Sequence, residues 1–393
     1  MDFTWSNEEQ AFRGEVRAFL DEHWDAHALP DAEEDDDALW ETIRSFRKQL
    51  ADGGWLTMAW PTEYGGRGAS FMQQMIFKEE CVIQSAPVSG GAEDVLAPAL
   101  MIHGSEELRR RFLPPIARAE MTLAQGYSEP SAGSDLASLT TRAVRDGDEY
   151  VVNGQKIWSS GAHRSDWMHV LVRTDADAPK HRGISYVLMD LASPGITIRP
   201  IPVMHGRGAF NEVFFEDVRV PASQRIGEEN RGWYIAMTAL DFERSGVHLV
   251  IGVQRAFEDL RDYAAQPDSD GSGRRLGDRS ATRLALADTR IELEVARLLS
   301  YRITSMQSRK IVPNYEASEA KTFGTELIQR HARRAINLLG LRGALRRGSP
   351  RAVLDGAFSA GYMSMIGQTI AGGTSEIQRN VIATRGLGLP RGS

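Results

Sequence analysis

The spacing of apolar residues changes period twice along the chain, and this alternation constrains the fold more than any single motif. Up to about residue 122 the apolar positions recur at helical intervals. Leu39, Ile43, Phe46 and Leu50 follow at steps of four, three and four before Gly53-Gly54 ends the run. Ser6 with Glu9 forms a capping-box pattern at an earlier helix start. From about Leu123 the period becomes two. Tyr150-Val152, Asn153-Gly154 and Lys156-Trp158 read as a hairpin, because Asn-Gly supplies the positive φ angles of a type I′ turn. Further strands are expected at 169–172, 184–189, 196–198 and 212–215. After Asn230 the pattern is helical again: one long helix from about Gly232 to Gln266, a hydrophilic connector from Pro267 to Gly273, and a helix with Leu284, Ile291, Val295 and Leu298 on one stripe. Helices near Glu316 to Leu339 and Pro350 to Ile370 complete a bundle. The expected fold is α+β: an N-terminal α-helical domain (1–122), a middle antiparallel β-barrel or sandwich domain (123–231) and a C-terminal helical bundle (232–393).

A chain of 393 residues with 42% hydrophobic content can bury a large core. No run of about 18 apolar residues appears, and Met1 to Ser6 lacks the basic start and apolar stretch of a signal peptide, so a cytoplasmic protein without a membrane anchor is expected. The formal charge of -7 argues against a general nucleic-acid binder. Cys81 is the sole cysteine, which excludes an internal disulfide and reads as a small core residue. The acidic run Asp31 to Asp37 reads as a solvated loop, since consecutive carboxylates cannot all face one ion. His163, His169 and His205 lack helical metal-ligand spacing and are expected to be structural or surface groups, and no metal site is expected.

Gln125 to Ser138 concentrates small residues, hydroxyls and turn-makers. Gly126 and Gly133 permit close backbone approach, Pro130 stiffens the loop, and Ser128, Ser131 and Ser134 offer hydroxyls. Composition alone fits a cradle for a flavin or phosphate and an ordinary surface turn equally. The ordered string Tyr127-Ser128-Glu129-Pro130-Ser131-Ala132-Gly133-Ser134-Asp135, however, resembles the flavin-binding signature of the acyl-CoA dehydrogenase family. Gly154 to Ala162 is similar to that family's second flavin strand, Asp217 to Pro221 to the end of its β-domain, and Gly373 to Asn380 to its C-terminal motif.

The resemblance implies FAD as cofactor, an acyl-CoA substrate, a trans-2-enoyl-CoA product and an electron-transfer flavoprotein as acceptor. Gln125, Tyr127, Ser128, Gly133, Ser134, Trp158, Ser160, Thr374 and Glu376 are the implied flavin residues, with Ser134 also near the thioester. A buried core tryptophan in a strand is the plain alternative for Trp158, and the motif outweighs it. Such chemistry needs a carboxylate base in a dry pocket. Many family members place it just before the Gly-Thr of the C-terminal motif, where this chain has Gly372. A second family position, on the helix after the β-domain, matches Glu243 in Leu240-Asp241-Phe242-Glu243-Arg244. Glu243 is therefore the implied base, and Asp241 and Arg244 the implied acyl-CoA contacts. An exposed helical Glu paired with an Arg is the plain reading of the same residues.

Two elements depart from the family. Where its members carry Arg, Phe, Gly and Gln in a segment reaching a neighbour's flavin, this chain places Ser269, Ser272, Gly273 and Ser280. A Gln-x-x-Gly-Gly element reads Asn337-Leu338-Leu339-Gly340-Leu341. The half-site donated to a neighbour is weakened while the chain's own half is intact. This resembles the catalytic chain of α2β2 acyl-CoA dehydrogenases of bacterial steroid side-chain degradation and implies a hetero-oligomer, with a homotetramer as alternative. A flavin oxidase or monooxygenase on the same fold, and a partner subunit without its own catalysis, are the other readings.

Overall fold

The computed structural model describes residues 5–25, 36–87, 91–204, 206–242, 247–267 and 273–390. The N-terminal part is helical: α1 (Asn7–His23), α2 (Asp36–Asp52), α3 (Phe71–Ile83), α4 (Leu96–His103) and α5 (Glu106–Ala117). The strands follow as β1 (Leu123–Gly126), β2 (Arg142–Asp146), β3 (Glu149–Lys156), β4 (Trp167–Arg173), β5 (Ile184–Asp190), β6 (Ile196–Val203) and β7 (Gly206–Pro221). Helices return with α6 (Gly232–Phe242), α7 (Val247–Ala265), α8 (Ser280–Ser308), α9 (Tyr315–Leu339), α10 (Ala357–Ser364) and α11 (Ser375–Val381). The expected helical, β, helical order is the observed one. Of the long helix expected over 232–266, α6 and α7 are seen, with 243–246 outside the described residues.

Local signals set the helix starts. Glu9 N donates to Ser6 Oγ (3.2 Å) while Ser6 N donates to Glu9 Oε2 (2.8 Å), the reciprocal cap that the sequence spells. Ser70 and Gln73 repeat the device at α3. Phe46 and Leu50 are buried on α2, and Gly54 ends that run with φ +68. Asp36 and Asp37, expected in a loop, start α2 instead; Asp37 sits 2.5 Å from Arg164. Residues 31–35 and the connector 268–272 lie outside the described residues.

Packing divides the chain into two compact units. One comprises His23–Ala69 and Pro87–Glu243 and holds the sheet, whose order is β1-β4-β2-β3-β7-β6 with β5 on β4. The sheet is mixed rather than wholly antiparallel. β5 runs antiparallel along the whole of β4, so β1 and β2 share its other edge, both parallel to it. Alternation then splits β4 and β5 between two cores. Trp167, Leu171, Ile184, Tyr186 and Leu188 pack with Leu96 and Leu100 of α4, Leu108, Phe112 and Ile116 of α5, and Ile235 of α6. Met168, Val170, Val172, Val187 and Met189 turn the other way and join Tyr150, Val152, Val213, Phe215 and Val218 inside the curl of the sheet. Both faces are covered, which is why β4 and β5 are buried almost without a break.

The expected turn at Asn153-Gly154 is not formed. β3 runs straight through it, and the hairpin turns at Gly147-Asp148, where Gly147 has φ +60 at the first central position, as a type II′ turn requires. Asn153 instead faces a bulge of β7, where Glu216 and Asp217 fill the step that β3 crosses with one residue between Val152 and Gly154, and Asp217 takes φ +48. Asn153 Nδ2 donates to Asp217 Oδ1 and Asp217 N returns a bond to Asn153 Oδ1, each 2.9 Å. Gly154 has φ +149, and a Cβ there would lie 2.7 Å from Thr141 Cα. Its freedom serves close strand packing, not chain reversal.

The second unit comprises Met1–Glu22, Ser70–Ala86 and Arg244–Ser393. Val250, Val253 and Phe257 of α7, Leu293 and Ala296 of α8, and Leu327 and Ile328 of α9 form its main core. The buried Glu79 and Glu80 of α3 are neutralised by Arg13 and Arg17, with Arg13 to Glu79 at 2.8 Å and Arg17 to Glu80 at 2.7 Å; Tyr301 OH donates to Glu79 Oε1 at 2.7 Å. The stripe expected to face the bundle on α8 does not: Leu284, Ile291, Val295 and Leu298 are all exposed, and Leu293, Ala296, Ile303 and Met306 are buried instead. The helix expected over 350–370 is broken into a 3-10 turn (Val353–Gly356), α10 and a second 3-10 turn (Met365–Thr369), because Leu354 and Asp355 take φ +47 and +50. Gly356 passes so near the chain that a Cβ would meet Arg347 N at 2.4 Å. Among the described residues no helix is long and apolar enough to cross a membrane.

Candidate active site

The loop after β1 is closed on itself before anything else touches it. Glu129 N donates to Ala132 O (3.1 Å) and Ala132 N to Glu129 O (3.0 Å), leaving Pro130 and Ser131 at the tip of a tight turn. The Glu129 side chain turns inward. Its Oε1 accepts from Lys156 Nζ at 2.8 Å and from Thr141 N at 2.9 Å, while Oε2 accepts from Thr140 N at 2.7 Å and Thr140 Oγ1 at 2.8 Å. Burial opposes the charge on Glu129, but the adjacent Lys156 ammonium and these donors outweigh it and hold the carboxyl down at about 2. Lys156 is wholly buried at the end of β3 and also donates to Tyr127 O at 3.2 Å; burial pushes it down to about 8 against the pull of Glu129.

The two sequence motifs are thus joined through their interior charges. Ile157 N donates to Ser128 O at 2.9 Å, which continues the joint along the backbone. Immediately beyond it the chain enters the left-handed region at Trp158, with φ +61, and the indole stands 55% exposed, edge-on to Phe210 at 5.8 Å. It is therefore not a core tryptophan. Ser159 is pinned beneath: its N donates to Asn211 O (3.1 Å) and its carbonyl accepts from Asn211 Nδ2 (2.9 Å). Ser159 Oγ is buried with no hydrogen-bond partner among the described residues. Ser160 is exposed beside Trp158.

The other expected residues of this unit fall close by in the fold. Gln125 is half-buried on β1 opposite His169, Ser128 is half-buried, and Gly133 and Ser134 are exposed just past the turn. Tyr127 is buried, and its hydroxyl lies 2.9 Å from Tyr186 OH, which lies 2.6 Å from His169 Nδ1. The three rings meet edge to face. Burial holds His169 down at about 3, so it is a neutral core group, as the sequence reading expects of it; His163 is exposed and His205 lies outside the described residues.

In the second unit Thr374 caps α11, its Oγ1 accepting from Ile377 N at 3.2 Å. Glu376 lies in the first turn, held below the usual carboxylate range by its own backbone amide and the Thr374 side chain, with Arg379 and Lys321 adding to this. Ahead of the cap, Gly372 and Gly373 have φ +63 and +86, and their carbonyls accept from Gln378 Nε2 (2.9 Å) and Lys321 Nζ (2.6 Å). Gly372 is thus a position where a side chain would strain the backbone. Glu243 and Arg244 lie outside the described residues, as do Ser269 and Ser272, and Asp241 falls on α6 with its side chain likewise outside them. Gly273 has φ +68, Ser280 opens α8, and Gly340 closes α9 with φ +60.

Glu129 and Lys156 lie within the quoted motifs, yet sequence reasoning assigned neither a role. A signal existed: Lys156 keeps the inward parity of Tyr150 and Val152 on β3, and an inward lysine requires a buried anion.

A helical, β, helical chain whose two motif strands are joined by a buried ion pair beneath a half-exposed tryptophan defines a class, and family models identify it. The models "Acyl-CoA dehydrogenase, N-terminal domain", "middle domain" and "C-terminal domain" match residues 6–120, 124–218 and 230–387. The chain belongs to the acyl-CoA dehydrogenase family, enzymes that dehydrogenate acyl-CoA thioesters. Among its relatives is acyl-CoA dehydrogenase FadE26 of Mycobacterium tuberculosis, 40% identical over 87% of each chain. A chain of the ChsE4-ChsE5 complex from Mycobacterium tuberculosis superposes with a TM-score of 0.88 at 37% identity, and one of the Tcur3481-Tcur3483 steroid ACAD with 0.88 at 34%, each over 100% of both chains.

Proposed function

We propose that this chain carries out FAD-dependent α,β-dehydrogenation of an acyl-CoA to a trans-2-enoyl-CoA, with Glu243 removing the α-proton. The observation that carries the reading is the surface raised by the Lys156 to Glu129 joint: an indole 55% exposed and followed by exposed Ser160 in one motif, with Ser131 and Ser134 exposed in the other. Such a donor set fits a planar, hydrogen-bonding ring system, and Gly133 adds room, since a Cβ there meets nothing within 4 Å. FAD, when bound, supplies the acceptor for the β-hydrogen.

Gln125, Tyr127, Ser128, Gly133, Ser134, Trp158, Ser160, Thr374 and Glu376 would hold the cofactor. Asp241, Arg244 and Ser134 would orient the thioester. To act as the base, Glu243 must start ionised and close to the α-carbon. The bare Gly372, on a left-handed backbone, supports Glu243 as the base.

The substrate reading follows the relatives. Similarity to a steroid ACAD favours a bulky, steroid-side-chain acyl-CoA, and similarity to a chain of a two-component complex favours assembly with a second acyl-CoA dehydrogenase-like chain as α2β2. The exposed apolar stripe of α8 supports a covering partner. Electrons would leave to an electron-transfer flavoprotein.

Glu243→Gln is expected to lower acyl-CoA turnover by about 10²-fold or more while bound FAD is unchanged; turnover at the parent rate removes the base assignment. Absorbance of the chain purified alone tests the assembly. Little FAD, restored by a divergent partner chain, supports the heteromer, whereas close to one flavin per chain indicates a self-sufficient homo-oligomer.

A further inference from the structure

The core between the sheet and α4, α5 and α6 is built of apolar side chains, among them Trp167, Leu171, Ile184 and Leu188. On the same face stands a line of three polar rings from neighbouring strands. The Tyr186 hydroxyl on β5 lies 2.6 Å from His169 Nδ1 on β4 and 2.9 Å from the hydroxyl of Tyr127, which directly follows β1. All three residues are buried, and the reaction proposed above uses neither Tyr186 nor His169. Burial keeps His169 neutral. With the ring proton on Nε2, Nδ1 accepts from Tyr186 and the Tyr186 oxygen accepts from Tyr127, so both hydroxyl protons are used.

Burial of apolar surface does not account for these groups, since phenylalanine and leucine would fill the same space without needing partners. A satisfied polar chain in a dry core fixes where its members sit. The member at its end belongs to the site. The Tyr127 carbonyl accepts from Lys156 Nζ at 3.2 Å, and the Ser128 carbonyl accepts from Ile157 N at 2.9 Å. Lys156 shares the parity of Tyr150 and Val152, whose side chains lie in the other core. Tyr127 and Ser128 are thus gripped by a ring on one face of the sheet and by two carbonyls toward β3 and the residue after it. The tight turn from Glu129 to Ala132 follows at once, so slack at Tyr127 would pass directly into the loop.

We propose that Tyr186 and His169 are positioning residues for the flavin loop: acting through the Tyr127 hydroxyl, they hold the Tyr127–Ser128 peptide in the place from which it binds FAD. This role rests on that loop carrying FAD, as proposed above.

The FAD dissociation constant of the assembled protein, read from flavin fluorescence, tests this, together with amide hydrogen exchange over residues 123–135, which needs no turnover. Tyr186→Phe keeps the ring and removes the bond. It is expected to weaken FAD binding on the order of tenfold and to speed exchange over 123–135, and His169→Leu should do the same. In a Tyr127→Phe background, Tyr186→Phe should cause no further loss, because its path to the loop is already cut. Tyr150→Phe controls for the loss of any core hydroxyl: that group is equally buried, accepts from Arg225 Nη1 at 2.7 Å and belongs to the other core. Its removal should leave FAD affinity within about twofold of the parent's. The proposal is overturned if Tyr186→Phe leaves affinity and exchange unchanged, or if Tyr150→Phe weakens FAD binding as much, which would mark a general loosening. Losses that add between Tyr127→Phe and Tyr186→Phe overturn it as well. Absence of FAD from the parent assembly would overturn the function proposed above and this role with it, whereas FAD held equally well without the Tyr186 hydroxyl overturns this role alone.

Discussion

At the scale of the residue, the buried Lys156 to Glu129 contact is where sequence, stability and site meet. Lys156→Met removes the cation but leaves the carboxylate among its remaining donors, so a loss of about 3–5 kcal/mol is expected in urea unfolding. Trp158 fluorescence and bound flavin should change with it, because Ile157 and Trp158 follow directly on Lys156. Loss of stability without any change in flavin content would separate the contact from the site. Acid sensitivity follows from the same pair. Glu129 is held at about 2 against an ordinary 4.5, so its ionised form stabilises the fold fully above pH 4.5, and that contribution fades as pH falls toward 2. Melting temperatures of Glu129→Gln should therefore be lower than the parent's at neutral pH, and the gap should narrow as pH falls from 4.5 toward 2. A constant gap would contradict the linkage.

At the scale of the element, β3 depends on the glycine beside the β7 bulge. Gly154→Ala would press a methyl group onto Thr141, whose amide serves Glu129, at a φ of +149 that L-residues rarely adopt. The expected cost is more than about 1 kcal/mol in urea unfolding; an unchanged midpoint would show that the bulge relaxes freely. The Asn-Gly pair is a strong hairpin signal, and here long-range pairing overrides it: both flanks of Asn153-Gly154 are already committed to β7, and Gly147-Asp148 reverses the chain six residues earlier. The helix starts at Ser6 and the stop at Gly53-Gly54 were legible because capping is settled within one turn of chain. The break near Leu354 was not, since Gly356 packs against Arg346 and Arg347, ten and nine residues back and beyond the reach of one turn.

At the scale of the whole molecule, the α8 stripe is the open question of assembly. Leu284→Glu with Ile291→Glu alters residues 67% and 64% exposed in the single chain, so folding and helix content should be unaffected. If a partner chain covers the stripe, sedimentation velocity should show association weakened by at least tenfold, and an unchanged assembly would place the interface elsewhere. Sequence alone determined the helical, β, helical order, through the two changes of apolar period, and the family, through motifs whose order survives divergence. It also marked Gly372 as unable to act as a base, since identity alone decides that. Only the tertiary structure decided that Asn153-Gly154 continues the strand opposite a bulge of β7 rather than turning, that Glu129 and Lys156 clasp the two motifs, that Trp158 stands outward, and that the α8 stripe faces away from its own bundle. Apolar period reports which residues share a face, and motif identity which side chains are on hand. Whether a face is covered, or a charge is paired, depends on segments far apart in the chain, whose meeting leaves no local trace in either.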